Sequence, residues 1–250
     1  MTFSSMLIVG ATSQIASHTA YALVPHCRRF VLAARNSERL ALLADDLRHR
    51  GAEAVYTLPY DAEQDTDRDL IEEACALLGE LPTVVLIAHA VLPRDDQAYR
   101  SKQTTREVLQ INTSSVLALC ATIASHFEER GYGTVAVISS VAADRARRSN
   151  FLYAATKAAL DVYLDGLALR WQAQSPALRV LTIKPGFVRT PMTAHLERVP
   201  FSVSAERVGR SIARLIIHGS TGRRYIPWWW RPVMLIARCL PRWVMQRVRL

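Results

Sequence analysis

Short apolar runs alternate with longer amphipathic segments along most of the chain. Runs such as VLIA and VAVI lack any polar position, which is typical of strands buried on both faces of a parallel sheet. The runs predict strands at Met6–Val9, Phe30–Ala34, Ala54–Leu58, Val84–Ala88, Gly133–Ser139, Arg179–Lys184 and Arg224–Ile226. The segments between them have apolar residues at helical spacing. These predict helices ending at Leu23 and near Arg130, and others at Ser37–Arg50, Gln64–Leu78, Asn150–Gln174 and Ala205–His218.

This strict alternation predicts an α/β fold, a Rossmann-type doubly wound parallel sheet of about seven strands with helices on both faces. We expect this domain to occupy residues 1–226 and a basic, tryptophan-rich tail to follow at 227–250. Ligands of such sheets bind beyond the carboxyl ends of the strands, where the strand order reverses. Functional residues are therefore expected in the segments that follow the predicted strands.

The segment after the first strand has the composition of a dinucleotide-binding turn. Gly10 permits a tight turn, and the helix that follows offers unpaired N–H groups to a pyrophosphate. Thr12 and Ser13 add hydroxyl donors, and Gln14 and Ile15 begin the helix. Two further glycines are expected in such a turn and are missing, so an ordinary turn with a helix cap is the alternative.

The second and third strands end in residues that bear on cofactor choice. An acid after the second strand would bind the ribose 2′-hydroxyl of NAD, but Arg35 and Asn36 stand there. Because the Arg35 guanidinium can donate hydrogen bonds to a ribose 2′-phosphate, NADP is the expected cofactor and NAD the alternative. Asp61, followed by Ala62, is a candidate for the adenine amino group, although an aspartate there is also an ordinary helix cap.

A set of four residues, all later in the chain than Asp61, predicts chemistry on a carbonyl group. Tyr153 and Lys157 are one helical turn apart on one face, so the ammonium is expected to lower the pKa of the phenol. Ser140 ends the fifth strand, where its hydroxyl can polarise a substrate carbonyl. Asn112 lies in the middle of a predicted helix, where an amide that bends the helix would hold a water near the lysine. Taken singly, each of these residues has a purely structural alternative.

The sixth strand ends in a sharp turn that is predicted to contact the nicotinamide. Pro185 and Gly186 form this turn, and Val188 and Thr190 follow it. We expect Thr190 to reach the nicotinamide amide. The segment from there to about Ser202 is the expected substrate lid.

Together these residues resemble the short-chain dehydrogenase/reductase family over nearly the whole chain. In that family a serine precedes the tyrosine by thirteen residues, as Ser140 precedes Tyr153. The resemblance implies that Tyr153 is the acid/base, Lys157 tunes it and binds ribose, Ser140 positions the carbonyl and Asn112 supports a proton relay. Two features depart from the family pattern, the glycine-poor turn and the sequence AHAV in place of Asn-Asn-Ala-Gly.

A narrower resemblance concerns one subgroup of the family. The stretch SSVAADRARRSNFLYAATKAALD, the segment PGFVRTPMT and the W-x-x-R-P-V…L-P-R tail resemble reductases of decaprenylphosphoryl-2-keto-ribose. This implies reduction of the 2-keto group of a polyprenylphosphoryl pentose in cell-wall sugar-donor synthesis. Another lipid-like or aromatic ketone is the alternative substrate, and a non-catalytic cofactor-binding scaffold or sensor is the alternative function.

The composition indicates where in the cell the protein acts and which partners it contacts. No signal peptide, metal-ligand spacing or CxxC is present, and the four cysteines are far apart, so a cytoplasmic protein without a metal is expected. The net charge is +9, and ten arginines but no acidic residue follow Glu206. Tryptophans and arginines in the tail predict contact with an anionic membrane surface at the inner face of the plasma membrane. An oligomer interface or a cover over the pocket is the alternative.

The remaining partner expectations are less direct. A homo-oligomer is expected, and a separate oxidase is a candidate partner. Arginines beside aromatic residues also suit single-stranded nucleic acid, but the tail lacks an accompanying binding fold, so no nucleic-acid partner is expected.

Overall fold

The computed structural model describes residues 2–65, 68–93, 98–194 and 201–246. The strands are β1 Phe3–Val9, β2 Cys27–Ala34, β3 Ala54–Pro59, β4 Val84–Ile87, β5 Gly133–Ile138, β6 Leu178–Pro185, β7 Val188–Arg189, β8 Val203–Ser204 and β9 Gly222–Ile226. The helices are α1 Gln14–Leu23, α2 Ser37–His49, α3 Leu70–Leu78, α4 Lys102–Leu109, α5 Ser115–Arg130, α6 Phe151–Gln174, α7 Ala205–Ile217, α8 Trp230–Cys239 and α9 Arg242–Met245.

Seven strands form one parallel sheet in the order β3-β2-β1-β4-β5-β6-β9. Strand β1 pairs with β2 on one side and β4 on the other, so the strand order reverses next to β1. The predicted doubly wound fold is confirmed. A crevice at the carboxyl ends of β1 and β4 is the expected ligand position in this topology.

Both faces of the sheet are covered by helices, which explains the uninterrupted apolar runs. Alternate residues of each strand point to opposite faces, so Met6 and Ile8 of β1 pack into one core while Leu7 and Val9 pack into the other. Helices α1, α2 and α7 cover the first core, and α3, α5 and α6 cover the second.

One helix begins later than predicted, and another carries a local distortion. The helix expected from Gln64 begins at Leu70, because Asp69 caps it by accepting from the N–H groups of Ile71 and Glu72. The long helix that ends at Arg130 is regular except at Gln110–Ser114, where one turn is π-helical.

One helical stretch in the described part of the chain, 102–130, is long and apolar enough by composition to cross a membrane. Within it Leu119, Ile123 and Phe127 are buried against the sheet. The same apolar composition is therefore accounted for by a core helix.

The described part of the tail forms α8 and α9. Trp230 and Met234 of α8 are buried beside Val141, in a small core of their own next to the carboxyl ends of β5 and β6. The division into residues 1–226 and 227–250 stays a prediction, but one face of α8 packs on the domain that precedes it. Residues 247–250, like residues 195–200 of the predicted lid, lie outside the described residues.

Candidate active site

A large cleft opens at the carboxyl ends of the central strands. Every residue predicted to bind the cofactor lines it, namely Gly10, Thr12, Ser13, Gln14, Ile15, Arg35, Asn36, Asp61, Ala62, Tyr153, Lys157, Pro185, Gly186, Val188 and Thr190. Ser140 lines the same cleft, whereas Asn112 lies behind its wall. Residues from five strand ends thus converge on one surface.

The turn after β1 requires glycine at position 10. Gly10 has φ +79°, and a Cβ there would lie 2.5 Å from the backbone nitrogen of His89, at the end of β4. Its N–H and that of Ala11 both donate to the Ala33 carbonyl, which fixes the turn on β2. The backbone is therefore bare at the floor of the cleft, as the approach of a pyrophosphate needs.

The beginning of α1 fits the same group. Ser13 is its N-cap residue, but the Ser13 side chain makes no capping hydrogen bond within the described residues. The first-turn N–H groups of Gln14 and Ile15, two residues that line the cleft, are therefore not capped by Ser13 and suit an anionic ligand. Ala16, which replaces a glycine of the usual pattern, is fully buried, so its methyl group is accommodated at the contact between helix and sheet.

The far end of the cleft is cationic. Arg35 and Arg39 are both exposed along it, and no carboxylate among the described residues pairs with either side chain. The Asn36 side chain accepts from the Arg39 N–H at 2.8 Å and thereby caps α2. One carboxylate oxygen of Asp61 accepts from the Glu63 N–H at 3.1 Å. Asn36 thus caps α2, and Asp61 closes a local turn in the cleft wall.

Ser140 and Tyr153 meet at the other end. The Tyr153 phenol is hydrogen-bonded to Ser140, whose Oγ also accepts from the Ala142 N–H at 3.1 Å and so caps the short turn Val141–Asp144. Burial raises the pKa of Tyr153 to about 12, and the Ser140 hydrogen bond opposes this only in part. The phenol is consequently protonated at neutral pH.

Lys157 is buried beneath this pair. Its Nζ donates to the Ile138 carbonyl at 2.9 Å and lies 5.8 Å from the centroid of the Tyr153 ring. Burial lowers the pKa of Lys157 to about 8, against the opposing influence of Asp161. The sequence led us to expect a lowered phenol pKa. Here desolvation outweighs the ammonium, which is directed to a backbone carbonyl.

Asn112 sits in the π-helical turn, where the sequence predicted a distortion. Its Oδ1 accepts from the Val91 N–H at 2.7 Å, and its Nδ2 donates to the Val91 carbonyl at 2.8 Å. Nδ2 also contacts the hydroxyl of Thr156, the neighbour of Lys157, at 3.4 Å. Asn112 therefore fastens the segment after β4 to the helix, rather than lining the cleft itself.

A buried ionic cluster supports the catalytic end from behind. Lys184 of β6 donates to Asp144 at 3.0 Å and is also paired with Asp161 of α6. Asp161 accepts from Ser139 at 2.5 Å as well. The cluster joins the turn after Ser140 to the helix that carries Tyr153 and Lys157.

Several cleft residues had no predicted role, among them His89, Phe187 and Arg147. His89 occupies the AHAV departure, and burial lowers its pKa to about 3, so the imidazole is neutral. Its Nε2 contacts Ser115 Oγ at 2.9 Å. Phe187 forms an apolar wall and packs edge-on against Trp230, with ring centroids 5.8 Å apart. Arg147 lies over the Phe187 ring, and only the path of its loop reveals that it faces the cleft.

The comparisons with known proteins agree with this fold and cleft. Residues 4–199 match the model of the short chain dehydrogenase family. The chain belongs to this family and is an oxidoreductase of it.

Its relatives include an uncharacterized oxidoreductase of Mycobacterium tuberculosis, which is 36% identical over 246 residues covering 97% of this chain and 96% of the relative. An uncharacterized oxidoreductase of Streptomyces coelicolor is 31% identical, over 98% of this chain and 95% of the relative.

Among solved structures, a short-chain dehydrogenase from Sphingobium yanoikuyae in complex with NADPH matches with a TM-score of 0.79 at 21% identity, over 99% and 97% of the two chains. A bulky-bulky ketone specific alcohol dehydrogenase from Comamonas testosteroni matches with a TM-score of 0.78 at 20% identity, over 100% and 96%. The similarity to these solved structures concerns the fold alone.

Proposed function

We propose that the protein is an NADPH-dependent ketone reductase and that its substrate is the 2-keto group of a polyprenylphosphoryl pentose. The observation that carries the reaction type is the convergence of Ser140, Tyr153 and Lys157 in the cleft that Gly10 and α1 prepare for a dinucleotide. The substrate rests on the narrower sequence resemblance and on the chemistry of the cleft.

The cofactor residues favour a 2′-phosphate. Arg35 and Arg39 offer two guanidinium groups where an NAD-specific site has an acid, and a guanidinium binds phosphate in a bidentate manner. The related Sphingobium dehydrogenase was solved with NADPH, which agrees with this choice. NADH is the alternative cofactor.

The protein's own groups would handle the proton. When bound, the cofactor supplies a hydride to the carbonyl carbon. Ser140 holds the carbonyl oxygen, and the Tyr153 phenol donates its proton to that oxygen, which gives a secondary alcohol and a phenolate. The Lys157 ammonium, 5.8 Å from the centroid of the Tyr153 ring, stabilises the phenolate.

The protonation state of Tyr153 favours reduction over oxidation. A phenol with a pKa of about 12 holds its proton at neutral pH and is ready to act as an acid. Oxidation of an alcohol would instead need the phenolate at the start. This asymmetry supports the reductive direction.

The substrate end of the cleft suits a lipid-like ketone. It is lined by the apolar side chains of Leu92, Val141, Phe187 and Met192 next to Ser140. Such a wall would contact the first isoprene units of a polyprenyl chain. Another lipid-like or aromatic ketone is the second candidate substrate, and a panel of ketones with one cofactor separates the two.

The exposed face of α8 supports a membrane-surface partner. Leu235 and Ile236 of α8 form it together with Trp228, just before α8, and Trp243 of α9, and each is more than half exposed. Arg231 and Arg242 flank it and are exposed. Apolar side chains with cationic flanks suit an anionic lipid surface, where a polyprenyl phosphate would lie.

The other partner calls stay predictions. Helix α6 leaves Val162 and Leu169 exposed, at 73% and 70%, which is apolar surface that a second copy would cover. A partner oxidase would supply the ketone by oxidising the epimeric alcohol.

The test of the function is turnover by the purified protein. A 2-keto polyprenylphosphoryl pentose is incubated with NADPH or NADH, and formation of the secondary alcohol is followed. We expect Tyr153→Phe to lower kcat by about 100-fold or more while cofactor affinity is retained. Tyr163→Phe, on the same helix, is the control and is expected to retain turnover. Full activity in Tyr153→Phe would refute the proposal, and cofactor binding without reduction of any ketone would favour a sensor.

The membrane partner is tested separately, by sedimentation with vesicles of anionic phospholipid. Replacement of Trp228, Leu235 and Ile236 by serine is expected to abolish co-sedimentation, and added salt to weaken it. Leu169→Ser removes an equally exposed leucine from α6 and is the control. Sedimentation that is indifferent to the α8 variant would refute this partner.

A further inference from the structure

Arg147 lines the same cleft as Ser140 and Tyr153, and among the described residues its guanidinium has no counter-ion. It lies in the loop between Ser140 and Tyr153 and is partly buried. Within the described ranges no carboxylate forms an ion pair with it. Burial alone lowers its pKa, and no acidic group opposes that shift.

The neighbouring acid is committed elsewhere. The side chain of Asp144, three residues before Arg147, is fully buried and accepts from Lys184, Tyr225 and Arg238. Its carboxylate is therefore engaged by groups of β6, β9 and α8. A cation in a partly desolvated position without such a partner is costly, unless a ligand supplies the charge.

The position of Arg147 is held by aromatic packing. Its guanidinium carbon lies 5.2 Å from the centroid of the Phe187 ring, and Phe187 in turn packs on Trp230. The backbone of Arg147 accepts from the Asn150 N–H at 3.3 Å, at the beginning of the helix that carries Tyr153. The guanidinium is thus held over the Phe187 ring, in the cleft that Ser140 and Tyr153 also line.

We infer that Arg147 binds the anionic phosphodiester group of the substrate, which is linked to the sugar carbon next to the ketone that Tyr153 reduces. A guanidinium stacked on an aromatic ring offers a planar pair of N–H donors, which matches two phosphate oxygens. This inference rests on the proposed function and assigns the recognition of the substrate class to one residue. The apolar wall beyond Phe187 would then receive the lipid chain that the phosphate carries.

The test compares a charged and a neutral ketone. The charged substrate is a farnesyl phosphodiester of a 2-keto pentofuranose, and the neutral one has an ether in place of the phosphodiester. For Arg147→Gln we expect kcat/KM to fall by about 30-fold or more with the charged substrate and by less than about threefold with the neutral one. Arg147→Lys keeps the charge but not the planar donor pair, so an intermediate loss is expected.

Arg148→Gln is the matched control, because Arg148 is the next residue in the same loop and is exposed. It is expected to change kcat/KM by less than about threefold with either substrate. Equal losses of Arg147→Gln with both substrates would overturn the inference. A weakened affinity for NADPH in Arg147→Gln would also overturn it, because Arg147 would then serve the cofactor.

A binding measurement separates this inference from the catalytic proposal. Calorimetry with NADP⁺ and farnesyl phosphate needs no turnover, and farnesol is the uncharged comparison. We expect Arg147→Gln to weaken farnesyl phosphate binding by about 30-fold and to leave farnesol binding unchanged. Arg147-dependent binding in a protein that reduces neither ketone would uphold the anion site and refute the proposed reaction. Binding that is indifferent to Arg147→Gln would refute the anion site even if both ketones are reduced.

Discussion

Arg238 of α8 donates to the buried carboxylate of Asp144, in the turn that begins at Ser140. Arg145 of the same turn donates to the Leu240 carbonyl at 2.8 Å, just after α8. The helix that carries the exposed apolar face is thereby fastened to the loop of the candidate catalytic serine. The tail thus contributes to the structure of the catalytic end, whatever surface its other face contacts.

Removal of the Asp144 charge is expected to destabilise the fold. In Asp144→Asn the Lys184 ammonium, which is fully buried, keeps only Asp161 as a carboxylate partner. We expect the free energy of unfolding to fall by about 3 kcal/mol, measured by urea denaturation. Asp165→Asn breaks the partly exposed pair with Arg223 and is expected to cost less than about 1 kcal/mol. Equal costs for the two variants would contradict the structural role of the buried cluster.

The strands and the strand-end residues were predictable because their signals are local. A strand buried on both faces is an uninterrupted apolar run, and parallel topology brings the strand ends to one edge. The distortion at Asn112 was predictable too, because an amide in the middle of a helix is a local anomaly.

Contacts between residues distant in the chain could not be predicted from the sequence. Neither the hydrogen bonds between Asn112 and Val91 nor the packing of Trp230 against Gly186 is indicated by the residues next to them in the sequence. That Arg147 has no carboxylate partner in the described part of the chain follows only once Asp144 is seen to pair with residues distant in the chain.

Lys157 is expected to make cofactor binding pH-dependent. Its pKa is lowered from 10.5 to about 8 by burial, so it is an ammonium below that pH and a neutral amine above it. Because the ammonium is the form proposed to bind the cofactor ribose, NADPH affinity should fall as the pH rises through about 8. Fluorescence titration of NADPH binding across this range measures the effect. In Lys157→Met the affinity should be lower and this pH dependence absent, and a wild-type affinity that is flat across the range would contradict the role.

Gly186 is expected to be intolerant of a side chain because of Trp230. A Cβ at Gly186 would overlap the Trp230 indole, whose Nε1 is buried without a hydrogen-bond partner among the described residues. We expect Gly186→Ala to lower stability by about 2 kcal/mol in thermal unfolding. Adding Trp230→Phe should recover part of this loss, since the smaller ring lacks Nε1, the atom that would lie closest to the added Cβ, and no hydrogen bond is lost. Gly166→Ala, at an exposed helical position with open space around it, is the control and is expected to stabilise by about 0.5 kcal/mol. Independent, additive effects of the Gly186 and Trp230 changes would contradict the contact.

Arg35 is expected to determine the choice between the two nicotinamide cofactors. The 2′-phosphate is the one group that distinguishes NADPH from NADH, and Arg35 stands where an NAD-binding acid would lie. Loss of one charge-assisted contact of about 1.5–3 kcal/mol should weaken NADPH binding by about 10- to 150-fold in Arg35→Gln, and NADH binding should change little. Arg28→Gln removes an exposed arginine at the other end of the same strand and controls for the change in net charge. Parallel titrations of both cofactors decide the matter, because a general loss of dinucleotide affinity would lower both constants together. If NADPH and NADH are weakened equally, Arg35 does not read the phosphate, and Arg39 becomes the residue to replace next.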